Sequence, residues 1–313
     1  MTPAFDTAYH APVLAGEVVE LLRNAKSVLD GTLGGGGHSE ALLAAGVAEV
    51  TGVDRDPEAL AAASDRLERF EQAGRFRAVL SNYGEVLENP ALRDTAFDGM
   101  LLDLGVSSRQ LDALARGFTF REGAPLDMRM GGGRDGRTAA DILTASDERE
   151  LARIFREYGD EPRAARLARE IVRRRATEPF VTSDELVRAI RGAIGPRTGP
   201  ADFARLFQAL RIAVNDELEG LGSALPELRD RLATGGTLAV ITYHSGEDRL
   251  VKHAFREWSA DCVCPPKQPV CTCRGRALGE TLTRRAVTPT DAEIARNPRA
   301  RSAKLRAWRK AGE

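Results

Sequence analysis

Val28-Leu29-Asp30-Gly31-Thr32-Leu33-Gly34-Gly35-Gly36-Gly37-His38-Ser39 is a short apolar run closed by an acid, then a glycine tract, then the start of an apolar helix, Ser39 to Ala45. A strand that opens through glycines into a helix is where an open α/β sheet binds ligands, at the carboxyl ends of its strands. Glycines let the backbone approach a ligand closely and adopt positive φ. The alternative is a flexible linker, but a linker rarely has apolar segments one turn away on each side. A P-loop would need Gly-Lys-Ser/Thr after the glycines, whereas Gly37 is followed by His38-Ser39. The dinucleotide pattern G-x-G-x-x-G fits this loop in no register.

Working outward, Val50 to Val53 reads as a second strand ending at Asp54, and Pro57 to Phe70 as a helix with Leu60, Ala63, Leu67 and Phe70 on one face. Phe76 to Leu80 and Asp98 to Leu104 are a third and a fourth strand. Strands joined by helices of this length imply a parallel sheet covered on both faces. The next convincing strand, Thr237 to Tyr243, comes about 130 residues later, after the turn signal Thr234-Gly235-Gly236. Ser146 to Tyr158, Pro162 to Arg175 and Ser183 to Ile194 read as helices, the last with a capping box of Thr182 and Glu185. Phe203 to Leu221 reads as one further helix returning the chain to the sheet. The expected organisation is a doubly wound α/β domain, residues 1–106 and 210–313, interrupted by a helical domain at 107–209.

The 313 residues can bury a sizeable core, and 42% apolar with 29% charged residues excludes a disordered or collagen-like chain. No apolar run approaches the roughly 20 residues of a membrane span. Met1 to His10 lacks the basic-then-apolar order of a secretory signal, so the chain reads as soluble and cytoplasmic. A net charge of −1 argues against a globally basic nucleic-acid binder. Basic residues do cluster at Arg163–Arg175 and Arg299–Lys310, and local patches on a neutral protein can grip phosphates. In the second patch Leu305 and Trp308 are three apart, as on one face of a helix. The four cysteines, Cys262, Cys264, Cys271 and Cys273, share one short stretch, which is no framework for a secreted scaffold. Four thiolates suit a tetrahedral zinc ion, although C-x-C is tighter than the usual C-x-x-C; a redox pair or an inert loop are the other readings.

Asp54, 17 residues beyond Gly37, stands where an acid accepts hydrogen bonds from ribose hydroxyls, and Asp30 where one would orient the amino-acid part of a cofactor. A strand-end Asp can equally be a helix N-cap. This layout resembles S-adenosylmethionine-dependent methyltransferases. Further segments narrow the match: His10-Ala11-Pro12-Val13-Leu14, Asp103-Leu104-Gly105-Val106-Ser107-Ser108-Arg109-Gln110, Arg116-Gly117-Phe118-Thr119-Phe120, Pro125-Leu126-Asp127-Met128-Arg129-Met130, Ala213-Val214-Asn215-Asp216-Glu217, Tyr243-His244-Ser245-Gly246-Glu247 and Asn297-Pro298-Arg299. Nearly end to end and in order, the chain resembles the bacterial 16S ribosomal RNA (cytosine-N4)-methyltransferase family, RsmH or MraW.

That resemblance implies a Rossmann-like class I methyltransferase domain with a smaller helical insert that helps recognise RNA. It also implies methyl transfer from S-adenosylmethionine, with S-adenosylhomocysteine as product, to a cytosine N4 in the decoding region of 16S ribosomal RNA. The substrate would be that RNA or the small ribosomal subunit. Carried over, the cofactor residues are Gly36, Gly37, His38, Asp54, Tyr83, Asp103 and Gln110; the candidate catalytic residues, by their place after strands four and five, are Asp103, Ser107 and His244. The Pro-Pro-aromatic loop of DNA amino-methyltransferases is missing after Asp103, so their mechanism does not transfer. Phe118 or Phe120 would supply a stacking surface or else sit in the core of the insert. His244 reads either as a contact to the target base or as a structural histidine, and His10 more as the latter. A small-molecule methyltransferase and a non-catalytic RNA-binding factor are the competing functions.

Overall fold

The computed structural model describes residues 12–85, 88–132, 136–265, 268 and 270–312. His10 and Ala11 lie outside the described residues. The chain divides into two compact units, residues 1–105 with 218–313, and residues 106–217.

The first unit opens with α1 (Ala15–Leu22), β1 (Ser27–Asp30), α2 (Gly37–Ala44), β2 (Glu49–Asp54), α3 (Pro57–Gln72), β3 (Phe76–Leu80) and β4 (Phe97–Asp103). The acids expected to close strands one and two are the last residues of β1 and β2. The start of α3 is set locally: Asp56 accepts a hydrogen bond from Glu58 N at 3.0 Å, and Pro57 holds the first helical position.

The second unit holds α4 (Ser108–Asp112), α5 (Ala139–Ala145), α6 (Glu148–Glu157), α7 (Ala164–Arg175), α8 (Ser183–Ile194) and α9 (Pro200–Asn215). In the Thr182 cap of α8, Glu185 Oε2 accepts from Thr182 N at 2.6 Å. The unit has its own apolar core, which includes Phe118, Leu151, Phe155, Leu167, Ile171 and Leu206. Phe120 packs against Phe203 and Phe207, with ring centroids 5.8 and 6.0 Å away. Both candidate stacking phenylalanines therefore belong to this core. The expected helix Phe203–Leu221 is in fact two, because Asp216 takes a left-handed φ of 50° and stops α9. The helical unit consequently runs to Glu217 and not to residue 209.

The chain continues through α10 (Glu217–Arg231), β5 (Leu232–Thr242), α11 (Ser245–Trp258), β6 (Gly279–Thr281), α12 (Asp291–Arg296) and β7 (Lys304–Lys310). The Thr234-Gly235-Gly236 turn signal falls inside β5. There Leu232 pairs with Phe97 but Thr237 with Gly99, so residues 233–236 bulge out against Asp98 alone. The basic tail is not one amphipathic helix: a short 3-10 turn, Pro298–Ser302, leads into β7. Leu305 and Trp308, three apart in a strand, point to opposite faces: Leu305 joins the apolar cluster of Val28, Leu101 and Ile241, and Trp308 that of Leu29, Leu102 and Val240. Arg306 bonds Asp248 Oδ1 at 2.7 Å and Lys304 bonds its Oδ2 at 3.2 Å, so these two cations are committed within the fold.

The sheet order is β3-β2-β1-β4-β5-β7-β6, with β7 antiparallel to both its neighbours and the first five strands parallel. The order reverses between β1 and β4, which is where a doubly wound sheet opens a crevice at its carboxyl edge. Both faces are covered, by α1, α2 and α3 on one cluster and α10 and α11 on the other.

Trp308 is fully buried at 0% exposure, meets Trp258 edge-on at 5.2 Å and donates from Nε1 to Ser259 Oγ at 3.1 Å. Trp308→Ala should cost roughly 3–5 kcal/mol of stability, read as a lower urea midpoint; an unchanged midpoint would show that β7 contributes little to the sheet.

Candidate active site

The glycine loop follows β1. Gly34 and Gly36 have φ of 52° and 77°, and Gly31 has no room for a side chain, because a Cβ there would lie 2.6 Å from Leu102 Cδ2. Close approach explains the one glycine and left-handed backbone the other two. Asp30 is 1% exposed, and its Oδ2 accepts from Ser39 Oγ at 2.7 Å while Thr32 N lies 3.3 Å from its Oδ1. Burial pushes the Asp30 carboxyl above the ordinary range, against the lowering pull of His38, Ser39 and Thr32. The residue expected to orient a cofactor is thus bonded into the loop itself.

Asp54 accepts from Gly34 N at 2.8 Å and from Asp56 N at 2.9 Å, one bond on each carboxylate oxygen. Each oxygen keeps a second lone pair for a hydroxyl donor. Burial is the main reason its carboxyl is pushed up to about 6, and the two backbone bonds oppose that shift. Tyr83 follows β3, its Cβ close beside Gly31, and packs at the edge of the cluster of Leu29, Val53 and Leu102.

His38 sits in the first turn of α2, with Nε2 donating to Val13 O at 2.8 Å and Nδ1 3.7 Å from Asp103 Oδ2. The other Asp103 oxygen accepts from Tyr243 Oη at 2.9 Å, and Asp103 N donates to Thr32 Oγ1 at 2.6 Å. Tyr243 was not among the residues expected from sequence. Its burial, and then the Asp103 carboxylate beside it, hold its phenol well above the ordinary value, so it stays a proton donor. The available signal was its place directly after β5, next to the end of β4.

His244 caps α11, with Nδ1 accepting from Gly246 N at 3.2 Å. The proton of a neutral ring is therefore on Nε2. That atom lies 3.2 Å from Glu247 Oε1, but its N–H is not aimed there, and it is a buried atom with no hydrogen-bond partner among the described residues. Glu247 is itself held by Tyr243 N at 2.8 Å.

Ser107 and Gln110 lie in the helical unit and cap α4 reciprocally: Gln110 N donates to Ser107 Oγ at 3.2 Å, and Ser107 N donates to Gln110 Oε1 at 3.0 Å. The Arg163–Arg175 cluster is partly neutralised within the same unit. Arg173 and Arg174 pair with Glu170 at 2.8 and 2.6 Å, and Arg175 bonds the carbonyls of Leu143 and Ser146. Those arginines hold the Glu170 carboxyl down at about 2.

Residues 7–311 match the MraW methylase family. The chain belongs to that family. It is 64% identical over 303 residues to a ribosomal RNA small subunit methyltransferase H of Gemmatimonas aurantiaca, covering 97% of this chain and 96% of the relative. A protein of the same name from Anaeromyxobacter dehalogenans is 52% identical, over 96% of this chain and 97% of the relative. Another from Heliobacterium mobile is 48% identical, over 96% and 99%. Among the described residues, no helix is long and apolar enough to cross a membrane.

Two measurements test the geometry. Hydroxyl donors need the ionised form of Asp54, which is present above about pH 6 and lost below it. Affinity for S-adenosylmethionine should fall as pH drops through that value, and Asp54→Asn should flatten the profile; parallel calorimetric profiles for the two proteins would remove Asp54 from the site. Tyr243→Phe deletes a hydrogen bond to a carboxylate worth roughly 1.5–3 kcal/mol. Single-turnover methyl transfer should slow about ten- to a hundredfold while the protein stays folded, and a rate within twofold of the parent would make that bond incidental.

Proposed function

We propose that this chain methylates the N4 exocyclic amine of a cytosine in the decoding region of 16S ribosomal RNA. The broader activity follows from its family: it is an S-adenosylmethionine-dependent methyltransferase of small-subunit ribosomal RNA. The residues present fit that cofactor. The loop from Gly31 to Gly36 is free of side-chain bulk where backbone must come close, and Asp54 keeps lone pairs at the end of β2.

The observation that carries the finer reading is the Asp103 carboxylate at the sheet's switch point, held by Tyr243 Oη and faced by His38. The lone pair of the cytosine amine is delocalised into the ring, so the amine is a poor nucleophile. A fixed acceptor can take a hydrogen bond from it, favour its rehybridisation and receive its proton as the new C–N bond forms. Asp103 is assigned that role, with Tyr243 fixing the direction of its carboxylate. His244 Nε2, with no hydrogen-bond partner among the described residues and at the adjacent strand end, is assigned to an acceptor on the target base. When bound, S-adenosylmethionine supplies the sulfonium methyl and leaves as S-adenosylhomocysteine. Gly36, Gly37, His38, Asp54 and Tyr83 are assigned to the cofactor side. Gln110 joins them through the family resemblance, and Ser107 shapes the turn that follows β4. The helical unit is assigned to RNA recognition, and the substrate is taken to be the RNA or the assembled small subunit.

The test is mass spectrometry of 16S ribosomal RNA nucleosides from cells with the protein, without it, and with Asp103→Ala. N4-methylated cytidine should be present only in the first. Equal amounts in all three, or a methyl group on a different atom, would sink the assignment.

A further inference from the structure

The loop between α11 and β6 takes no part in the site just described, yet it gathers every cysteine of the chain. We propose that Cys262, Cys264, Cys271 and Cys273 form a closed four-thiolate zinc site that staples this loop. Their sulfur atoms all lie within 4.8 Å of one another. The individual Sγ···Sγ distances are 3.9 Å for Cys262–Cys271, 3.9 Å for Cys264–Cys271, 3.4 Å for Cys271–Cys273 and 3.8 Å for Cys262–Cys273. A tetrahedron with zinc–sulfur bonds of about 2.3 Å has edges of about 3.8 Å. Four of the six sulfur pairs stand within about 0.4 Å of that spacing, and the other two lie within 4.8 Å. They are far too distant for disulfides, which need about 2.05 Å, and all four are free thiols.

A second observation is independent of the sulfur spacing. Among the described residues of 262–273 none is buried, and the valines, Val263 and Val270, are 40% and 70% exposed. Its polar bonds lie in the middle, where Gln268 Nε2 donates to Val270 O at 3.0 Å and Thr272 Oγ1 at 2.7 Å, and at its ends. Ala277 N donates to Asp261 Oδ1 at 3.2 Å, Leu278 N donates to Trp258 O at 2.7 Å, and the Arg274 guanidinium bonds the carbonyls of Glu257 and Ala260. Between those ends the four thiols converge with no buried apolar side chain among the described residues of 262–273. Val263 N points at Cys273 Sγ across 3.4 Å, and a backbone N–H suits a sulfur that carries thiolate charge.

Four sulfur ligands leave no open coordination position, so the ion would be structural and would take no part in methyl transfer. Its effect falls on the connection from α11 to β6, which packs beside Trp258 and Trp308. The two Cys-x-Cys pairs give the ion two short arms on one strand of chain, so the site forms within a single loop and needs no partner.

The full-length protein, purified under reducing conditions from zinc-supplemented cells, should carry about one zinc per chain by plasma mass spectrometry. Cobalt replacement should give the intense visible bands of a tetrahedral thiolate site. Cys264→Ser combined with Cys273→Ser should lower the metal content at least about tenfold and open the 262–273 loop to limited proteolysis. S-adenosylmethionine affinity should stay within about twofold of the parent, which separates this site from the methyl-transfer reading. A reduced parent protein without zinc and without a tetrahedral cobalt spectrum would overturn the proposal. So would zinc retained in full by the double variant, or a metal-free protein whose intact mass reports disulfides.

Discussion

A carboxylate kept out of water organises the carboxyl edge of the sheet. Asp30 ends β1 and is bonded to Ser39 in α2, so the intervening glycines must fold into a tight loop instead of extending as a linker. From there the constraint passes sideways. Thr32, whose N–H also approaches Asp30, accepts from Asp103 N and so ties the loop to the end of β4. Asp103 in turn is held by Tyr243 at the end of β5, while Leu33 N donates to Val53 O and Gly34 N to Asp54 on β2. Three strand-end acids and one tyrosine thus share a single connected network. Each buried acid there is satisfied by a neighbour, which is the condition under which such groups add order and not cost.

Much of this was legible in the sequence because the informative residues announce themselves locally. An apolar run stopped by Asp30 or Asp54 marks a strand end, and Asp56-Pro57 marks the start of a helix that buries Ala63, Leu67 and Phe70. What stayed hidden depends on distant partners or on two-sided burial. Tyr243 gains its meaning from Asp103, 140 residues earlier, and nothing next to it signals that bond. Strand β7 is buried on both faces, which erases the alternation that marks a half-exposed strand, and its apolar pair falls by accident on helical spacing. The break at Asp216 needs neither glycine nor proline, only an Asp able to adopt left-handed backbone, so one periodic run became two helices.

The helical unit shows the same economy. Asn215, buried at the end of α9, accepts from Met130 N and donates to Met128 O, pinning a loop from the far end of the unit against its last helix. Glu161, also buried, pairs with Arg205 at 2.6 Å. A few fully satisfied polar groups set the register of an otherwise apolar core, which by itself would tolerate several packings.

The place of β7 governs the order in which the protein can be made. It fills the gap between β5 and β6, yet Lys304, which pairs with Thr242, is synthesised 62 residues after it. Until then β5 is a bare edge carrying Leu238, Val240 and Ile241, a row of unmet backbone groups on an apolar strand. The five parallel strands are thus all synthesised before the strand that covers β5, and the basic residues of β7 arrive beside an apolar edge able to pair with another chain. An uncovered apolar edge of this kind favours aggregation, and once β7 is in place Lys304 and Arg306 meet Asp248 of α11 in the antiparallel register observed.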